Sequence, residues 1–128
     1  MNRRDPKLTV LLFNDDINRR DLTGLTALMT PDHTFIDAEG GVERGKEAMT
    51  ESWREFFRRW PDYRNHFARI ESRDDLVVIE GRSTCSQAAL SGPALWAARV
   101  RDDLVAEWRV YEDTAGNREA LGITEAPR

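Results

Sequence analysis

Two aspartates end apolar phrases of this chain: Asp37 follows Thr34-Phe35-Ile36, and Asp113 closes Glu107-Trp108-Arg109-Val110-Tyr111-Glu112. A carboxyl group carried into apolar surroundings is costly unless it is paired or used. Such surroundings also raise its pKa, which suits it to take and return a proton near neutral pH. These residues point to acid/base proton transfer, with both acids facing one pocket. Phe35, Trp53 and Trp60 are the candidates for an apolar wall beside Asp37. The competing reading makes Asp37 an acceptor for backbone N–H groups or for Arg44 that only organises the Gly40-Gly41 turn. Asp113 also has two readings, since Arg109 lies on the same strand face with Tyr111 between them. The trio could orient a substrate carbonyl, or it could be an ion pair at a sheet edge, which contributes little when exposed.

His66 is a further candidate acid/base, although a lone strand histidine is more often satisfied or at the surface. His33 and His66 are far apart, with no Asp, Glu or Cys at ligand spacing, so no metal site is expected. Cys85 is a single cysteine that cannot form an internal disulfide, which fits a reducing compartment. Its alternation with Gly81 and Ser83 suggests a small residue on a concave face. Phosphate-cradling glycine loops, the G-x-S-x-G elbow and H-E-x-x-H are all missing, so chemistry here would run without a cofactor. Trp53, Phe56, Phe57, Trp60, Trp96 and Trp108 are chiefly core material. A small domain has one place for so much aromatic area, so part of the set should also wall a cavity for a flat, ring-containing ligand.

The elements that must position these side chains follow from spacing. At 128 residues the chain is expected to be one domain spanning 1–128, with frayed ends at 1–5 and 123–128. Asp5-Pro6 reads as an N-cap and first helical residue, and Leu8, Leu11, Leu12 and Ile17 give a helical stripe to about Asn18. Asp21 caps a second helix through Leu22, Leu25, Leu28 and Met29, which Pro31 stops. A strand is expected from His33 to Ala38, a turn at Gly40-Gly41 and a short return strand at Val42–Arg44. Met49, Trp53, Phe56, Phe57 and Trp60 then mark the aromatic face of a helix that ends at Pro61.

From Tyr63 the period changes to two. Segments 63–72, 75–88, 94–101 and 104–113 are separated by Arg73-Asp74-Asp75, Ser91-Gly92-Pro93 and Asp102-Asp103, which predicts an antiparallel meander. A short helical turn is expected near 117–121. Helices first and a strongly curved antiparallel sheet after them make an α+β domain, a cone with a pocket inside.

Net charge of −4, with basic residues dispersed, argues against nucleic acid as a partner. No apolar run reaches membrane-spanning length and no apolar signal follows the first arginines, so the expected location is the cytoplasm, away from membranes.

The order of elements, the phrases Asn18-Arg-Arg-Asp21-Leu22-Thr-Gly-Leu25 and Phe35-Ile-Asp37 leading to Gly45, and the ending Glu107-Trp108-Arg-Val-Tyr111-Glu-Asp113 together resemble the nuclear transport factor 2-like superfamily. Within it the chain is similar to SnoaL-like polyketide cyclases and ketosteroid isomerases, from about Lys7 to Gly122. The resemblance implies a cone-shaped fold and no cofactor. It puts Asp37 at the general-base position of the isomerases and Asp113 near the acid/base of the cyclases. Phe13 and Trp96 fall where the isomerases hold an enolate oxygen with a tyrosine and a protonated aspartic acid, so those donors differ here. The resemblance also implies a homodimer built on the outer sheet face, where Glu80, Arg82, Thr84 and Arg99 alternate.

Two functions remain open on these grounds. One is cofactor-independent proton transfer next to a carbonyl, of isomerase, cyclase or dehydratase type, with Asp37 and Asp113 as acid and base. Trp96, Tyr111 or Arg109 would then steady the oxyanion. The other is a non-catalytic small-molecule-binding or dimerising accessory domain. An acid facing an apolar void favours the first, and acids already satisfied by partners favour the second.

Overall fold

A computed structural model of the protein describes residues 4–123. Helix α1 spans Pro6–Arg19; Asp5 accepts the Lys7 N–H at 2.9 Å, and Val10, Phe13, Asn14 and Ile17 form its buried side. Arg20, in the left-handed region, ends it, and Asp21 caps α2, Leu22–Ala27, through the Gly24 N–H at 3.0 Å. Of the ends expected to fray, 1–3 and 124–128 lie outside the described residues.

Helical spacing extended α2 to Met29, but the chain turns into strand β1, Met29–Ile36, before Pro31. Pairing decides this boundary. The Val105 N–H donates to the Leu28 carbonyl at 2.7 Å, and Met29 registers with Val105, burying Met29 and Thr30. Pro31 fits inside the strand because β2, Val42–Arg44, covers only Thr34 to Ile36, so the missing N–H breaks no ladder bond on that side.

Helix α3, Lys46–Arg59, carries the aromatic stripe and ends at Trp60 as expected. The meander follows as β3, Arg64–Arg73, β4, Leu76–Thr84, β5, Gly92–Arg101, and β6, Leu104–Glu112. It differs from expectation at one junction. Strand β4 stops at Thr84 and β5 takes in Gly92-Pro93, because the Ser91 hydroxyl bonds both the N–H and the carbonyl of Cys85 and closes the intervening loop on itself.

The sheet order is β2-β1-β6-β5-β4-β3. It is mixed: β1 runs parallel to β6, where a wholly antiparallel sheet was expected. The first strand lies beside the last, and only that pairing gives β1 a partner along its length. Register shifts interrupt β1–β6, β3–β4 and β5–β6, and such bulges bend a sheet. At the β3 bulge Gly81 faces Phe67, and a Cβ there would lie 2.1 Å from the His66 carbonyl oxygen.

Helix α1, through Phe13 and Ile17, and helix α3, through Met49 and Trp53, pack on one face over Met29, Ile79, Trp96 and Trp108. On the other face, Leu121 of α4, Ala115–Leu121, covers Val78, Leu95 and Ala97. Among the described residues no helix is long and apolar enough to cross a membrane.

Candidate functional site

A cavity of about 500 Å³ opens between α3, β1 and the inner face of β4–β6. Its apolar wall is Phe35, Met49, Trp53, Phe56, Trp96 and Trp108. These rings hold one another in place. Trp53 meets Phe35 and Phe56 edge-on at 6.3 and 5.6 Å, and behind the wall Phe67 packs 5.2 Å from Trp96. Edge-to-face contacts of this kind fix ring orientation as well as burying area.

The sequence set Trp53, Phe35, Trp96 and Trp108 therefore does converge on one opening. Phe13 does not reach it: the ring is wholly buried beneath, 4.9 Å from Trp108 and 5.8 Å from His33. Phe57 does not line it either, its ring lying tilted against Trp53 at 5.4 Å. Trp60 sits at the α3 terminus under the Arg59 guanidinium, so it supplies no wall for Asp37.

Asp37 stands at the mouth and is exposed. Its Oδ1 accepts the N–H groups of Glu39 and Gly41 at 2.8 and 2.9 Å, closing the turn between β1 and β2. That is the turn-organising role, with backbone in place of Arg44. The apolar shielding required of a general base is lacking at this site.

Asp113 is not in the cavity. It is held in a two-pronged pair by Arg118 of α4 on the opposite face of the sheet, at 2.5 and 2.9 Å. Arg118 also bridges to Glu80, which Arg69 holds at 2.7 Å. The Arg118 hydrogen bonds keep the Asp113 carboxyl below the ordinary range. For Glu80 burial pulls upward, and Arg118 with Arg69 overcomes it. Arg109 lies on the same outer face, 4.7 Å over the Tyr111 ring, and Tyr111 packs with Leu95 and Leu121 while also edging the mouth. Strand alternation accounts for the displacement. Val110 and Glu112 face the cavity, so Arg109 and Asp113 face away, and Tyr111, rooted on their side, reaches only the rim. His66 is exposed on edge strand β3, its Nε2 3.0 Å from the Thr84 hydroxyl. Cys85 lies in the loop beyond β4, away from the concave face.

Sequence reading missed the polar part of the wall. The Tyr63 hydroxyl lies 3.1 Å from Ser83 Oγ, which donates to Asn65 Oδ1 at 2.7 Å. Burial raises the Tyr63 pKa, so the phenol stays protonated. Its signal in the sequence was present: Tyr63, Asn65 and Phe67 alternate on one side of β3, opposite the small face that contains Gly81 and Ser83. Glu43, Glu39 and Glu112 join Asp37 around the mouth, and Glu43 accepts from the Ser52 hydroxyl at 2.7 Å. Among the described residues no three His, Cys, Asp or Glu side chains are grouped as metal ligands.

The SnoaL-like domain profile matches residues 10–114. No curated protein matches the chain. Solved structures do, at low identity. An NTF2-like protein of unknown function from Cytophaga hutchinsonii superimposes with a TM-score of 0.73 at 12% identity, covering 94% of this chain and 97% of its own. An LEH-like epoxide hydrolase from M. tuberculosis gives 0.75 at 18% identity, covering 84% and 82%. A protein assigned as a ketosteroid isomerase from Kribbella flavida gives 0.71 at 18%, covering 96% and 90%. The chain belongs to the SnoaL-like family and has the NTF2-like α+β fold. That family includes cyclases, isomerases and hydrolases, and fold alone does not choose among them.

Proposed function

We propose that this SnoaL-like domain binds a small, flat, ring-containing molecule in its cavity. One observation carries the reading: an aromatic-walled opening of about 500 Å³ whose polar relay, Tyr63–Ser83–Asn65, is already ordered. Openings of this size and lining are where small ligands bury most of their surface.

Binding is preferred to proton transfer because both expected acids are satisfied elsewhere. Asp113 is spent on Arg118, and Asp37 holds a turn in contact with water. Of the candidate oxyanion donors, Arg109 belongs to the outer face, Tyr111 packs there and reaches only the rim, and Trp96 lines the cavity with a single N–H to offer.

Equilibrium dialysis against naphthyl and pyrenyl compounds tests the reading. The expected result is saturable one-to-one binding that Ala94→Trp, which fills the cavity, abolishes while circular dichroism is unchanged. Failure of every ring compound to bind overturns it.

A catalytic use of the same cavity rests on Asp37 Oδ2, which makes no hydrogen bond within the described residues while Oδ1 holds the turn. In that reading Oδ2 takes a proton from a carbon next to a carbonyl placed at the mouth. Exchange of such a proton with deuterated water, lost in Asp37→Asn, is its signature.

For assembly we propose a homodimer on the part of the outer sheet face that α4 leaves open, near Arg82, Thr84 and Arg99. Sedimentation as a monomer overturns it.

A further inference from the structure

Most of the cavity's polar side chains share one property, the exceptions including the Trp53 indole N–H, buried and without a partner among the described residues, and the Tyr111 hydroxyl at the rim. The carboxylates Asp37, Glu39, Glu43 and Glu112 accept hydrogen bonds and cannot donate them, and none is in an ion pair with a described residue. Among the described residues no lysine, arginine or histidine lines the opening.

The hydroxyls of Ser52, Ser83, Ser91 and Tyr63 are acceptors too, because their protons are already committed. Ser52 Oγ donates to Glu43 and Ser91 Oγ donates to the Cys85 carbonyl at 2.8 Å. Ser83 gives its single proton to Asn65 at 2.7 Å, so across the 3.1 Å contact Tyr63 must be the donor and Ser83 the acceptor. What Tyr63 keeps for the cavity is a lone pair. A carbonyl or carboxylate ligand would meet oxygen lone pairs at every one of these groups. A ligand carrying N–H donors and positive charge would satisfy them together.

The apolar wall suits the same charge. A cation near the faces of Trp and Tyr rings is attracted by their quadrupoles, and Trp53, Trp96, Trp108 and Tyr63 all line the opening. Four acidic groups gathered at one mouth also attract a cation, through solvent because Asp37, Glu39 and Glu112 are exposed.

We propose that the ligand of this cavity is a cationic amine on a flat apolar body. The ring system lies against the tryptophans, and the ammonium sits between the Tyr63 oxygen and the mouth carboxylates Glu43 and Glu112. The inference rests on the small-molecule reading above and narrows it to a ligand class.

Equilibrium dialysis tests it with matched ammonium, alcohol and carboxylate derivatives of naphthylmethyl and pyrenylmethyl, on wild type and on Glu43→Gln/Glu112→Gln. The expected order is ammonium, alcohol, carboxylate, the first at least about tenfold tighter than the second, which is what one cation–aromatic contact plus a nearby carboxylate supplies. The double variant should shrink that preference, and 1 M salt should weaken it further. Glu119→Gln/Asp74→Asn, which removes as much charge away from the mouth, should leave it intact. Alcohol binding as tightly as ammonium, or a preference unchanged in Glu43→Gln/Glu112→Gln, overturns the inference and leaves the binding reading standing. No binding by any of the six overturns both.

Discussion

Asn18 and Asn65 exchange two hydrogen bonds across 47 positions of sequence: the Asn65 N–H donates to Asn18 Oδ1 at 2.8 Å, and Asn18 Nδ2 donates to the Asn65 carbonyl at 2.9 Å. The last turn of α1 thereby imitates a neighbouring strand for the start of β3. Asn65, so fixed, holds Ser83, and Ser83 holds Tyr63. A helix remote from the opening in sequence thus sets where the cavity's hydroxyl points.

Replacing Asn18 by Ala leaves a nearly buried backbone N–H and carbonyl without partners, at a cost of roughly 2–3 kcal/mol. Urea denaturation should report that loss. Binding of naphthylmethylammonium should weaken in the same variant, although Asn18 does not line the cavity.

Tyr63→Phe keeps the ring and removes the oxygen. Stability should fall by only about 1 kcal/mol, the net worth of one hydrogen bond. The preference for ammonium over alcohol should drop several-fold in dialysis, while alcohol affinity changes little.

Asp37→Ala frees two turn N–H groups that are open to water, so the cost should be about 1 kcal/mol, as for loss of a helix cap. Asp37→Asn keeps an acceptor and should restore most of it. Gly41→Ala should disturb the same turn, because its Cβ would lie 2.6 Å from Asp37 Oδ2. Thermal melts of the three variants check the order.

Arg118→Met should be acid-dependent in its effect. Asp113 and Glu80 have folded pKa values depressed by Arg118, the latter against the pull of burial. Their contribution is fully present above the unfolded values and is lost as pH falls through the folded ones. Wild type should therefore exceed the variant by roughly 2 kcal/mol near pH 7, and the two should converge in acid. Parallel denaturation curves from pH 7 to pH 2 that never converge would contradict this pairing.

His33 should not titrate near neutrality. Burial lowers its pKa, and its Nδ1–H donates to the Val105 carbonyl at 2.7 Å while Nε2 has no partner among the described residues. As pH falls through about 6.5 the unfolded chain takes up a proton more readily than the folded one, so stability present above that pH declines below it. Ring proton shifts in NMR spectra that titrate below the ordinary imidazole range are the expected signature.

Local chemistry made much of the fold legible. Asp5-Pro6 and Asp21 announce helix starts, Gly40-Gly41 announces a turn, and the Met49-to-Trp60 stripe announces α3, because caps, turns and periodicity act within a few residues. Met29 was misread for the same reason. Its spacing is helical, and only its pairing with Val105, far along the chain, draws it into a strand.

The sequence by itself determined that this chain folds as helices on a sheet, with tryptophans and acids in quantity, since composition and period need no distant partner. Which acids those tryptophans meet was decided in three dimensions. Alternation along β6 turns Glu112 toward the cavity and Asp113 toward Arg118, and the bulges and mixed pairing that fix that phase depend on strands far apart in the chain. A one-residue change of phase exchanges the two faces, and nothing in a local stretch of sequence sets that phase.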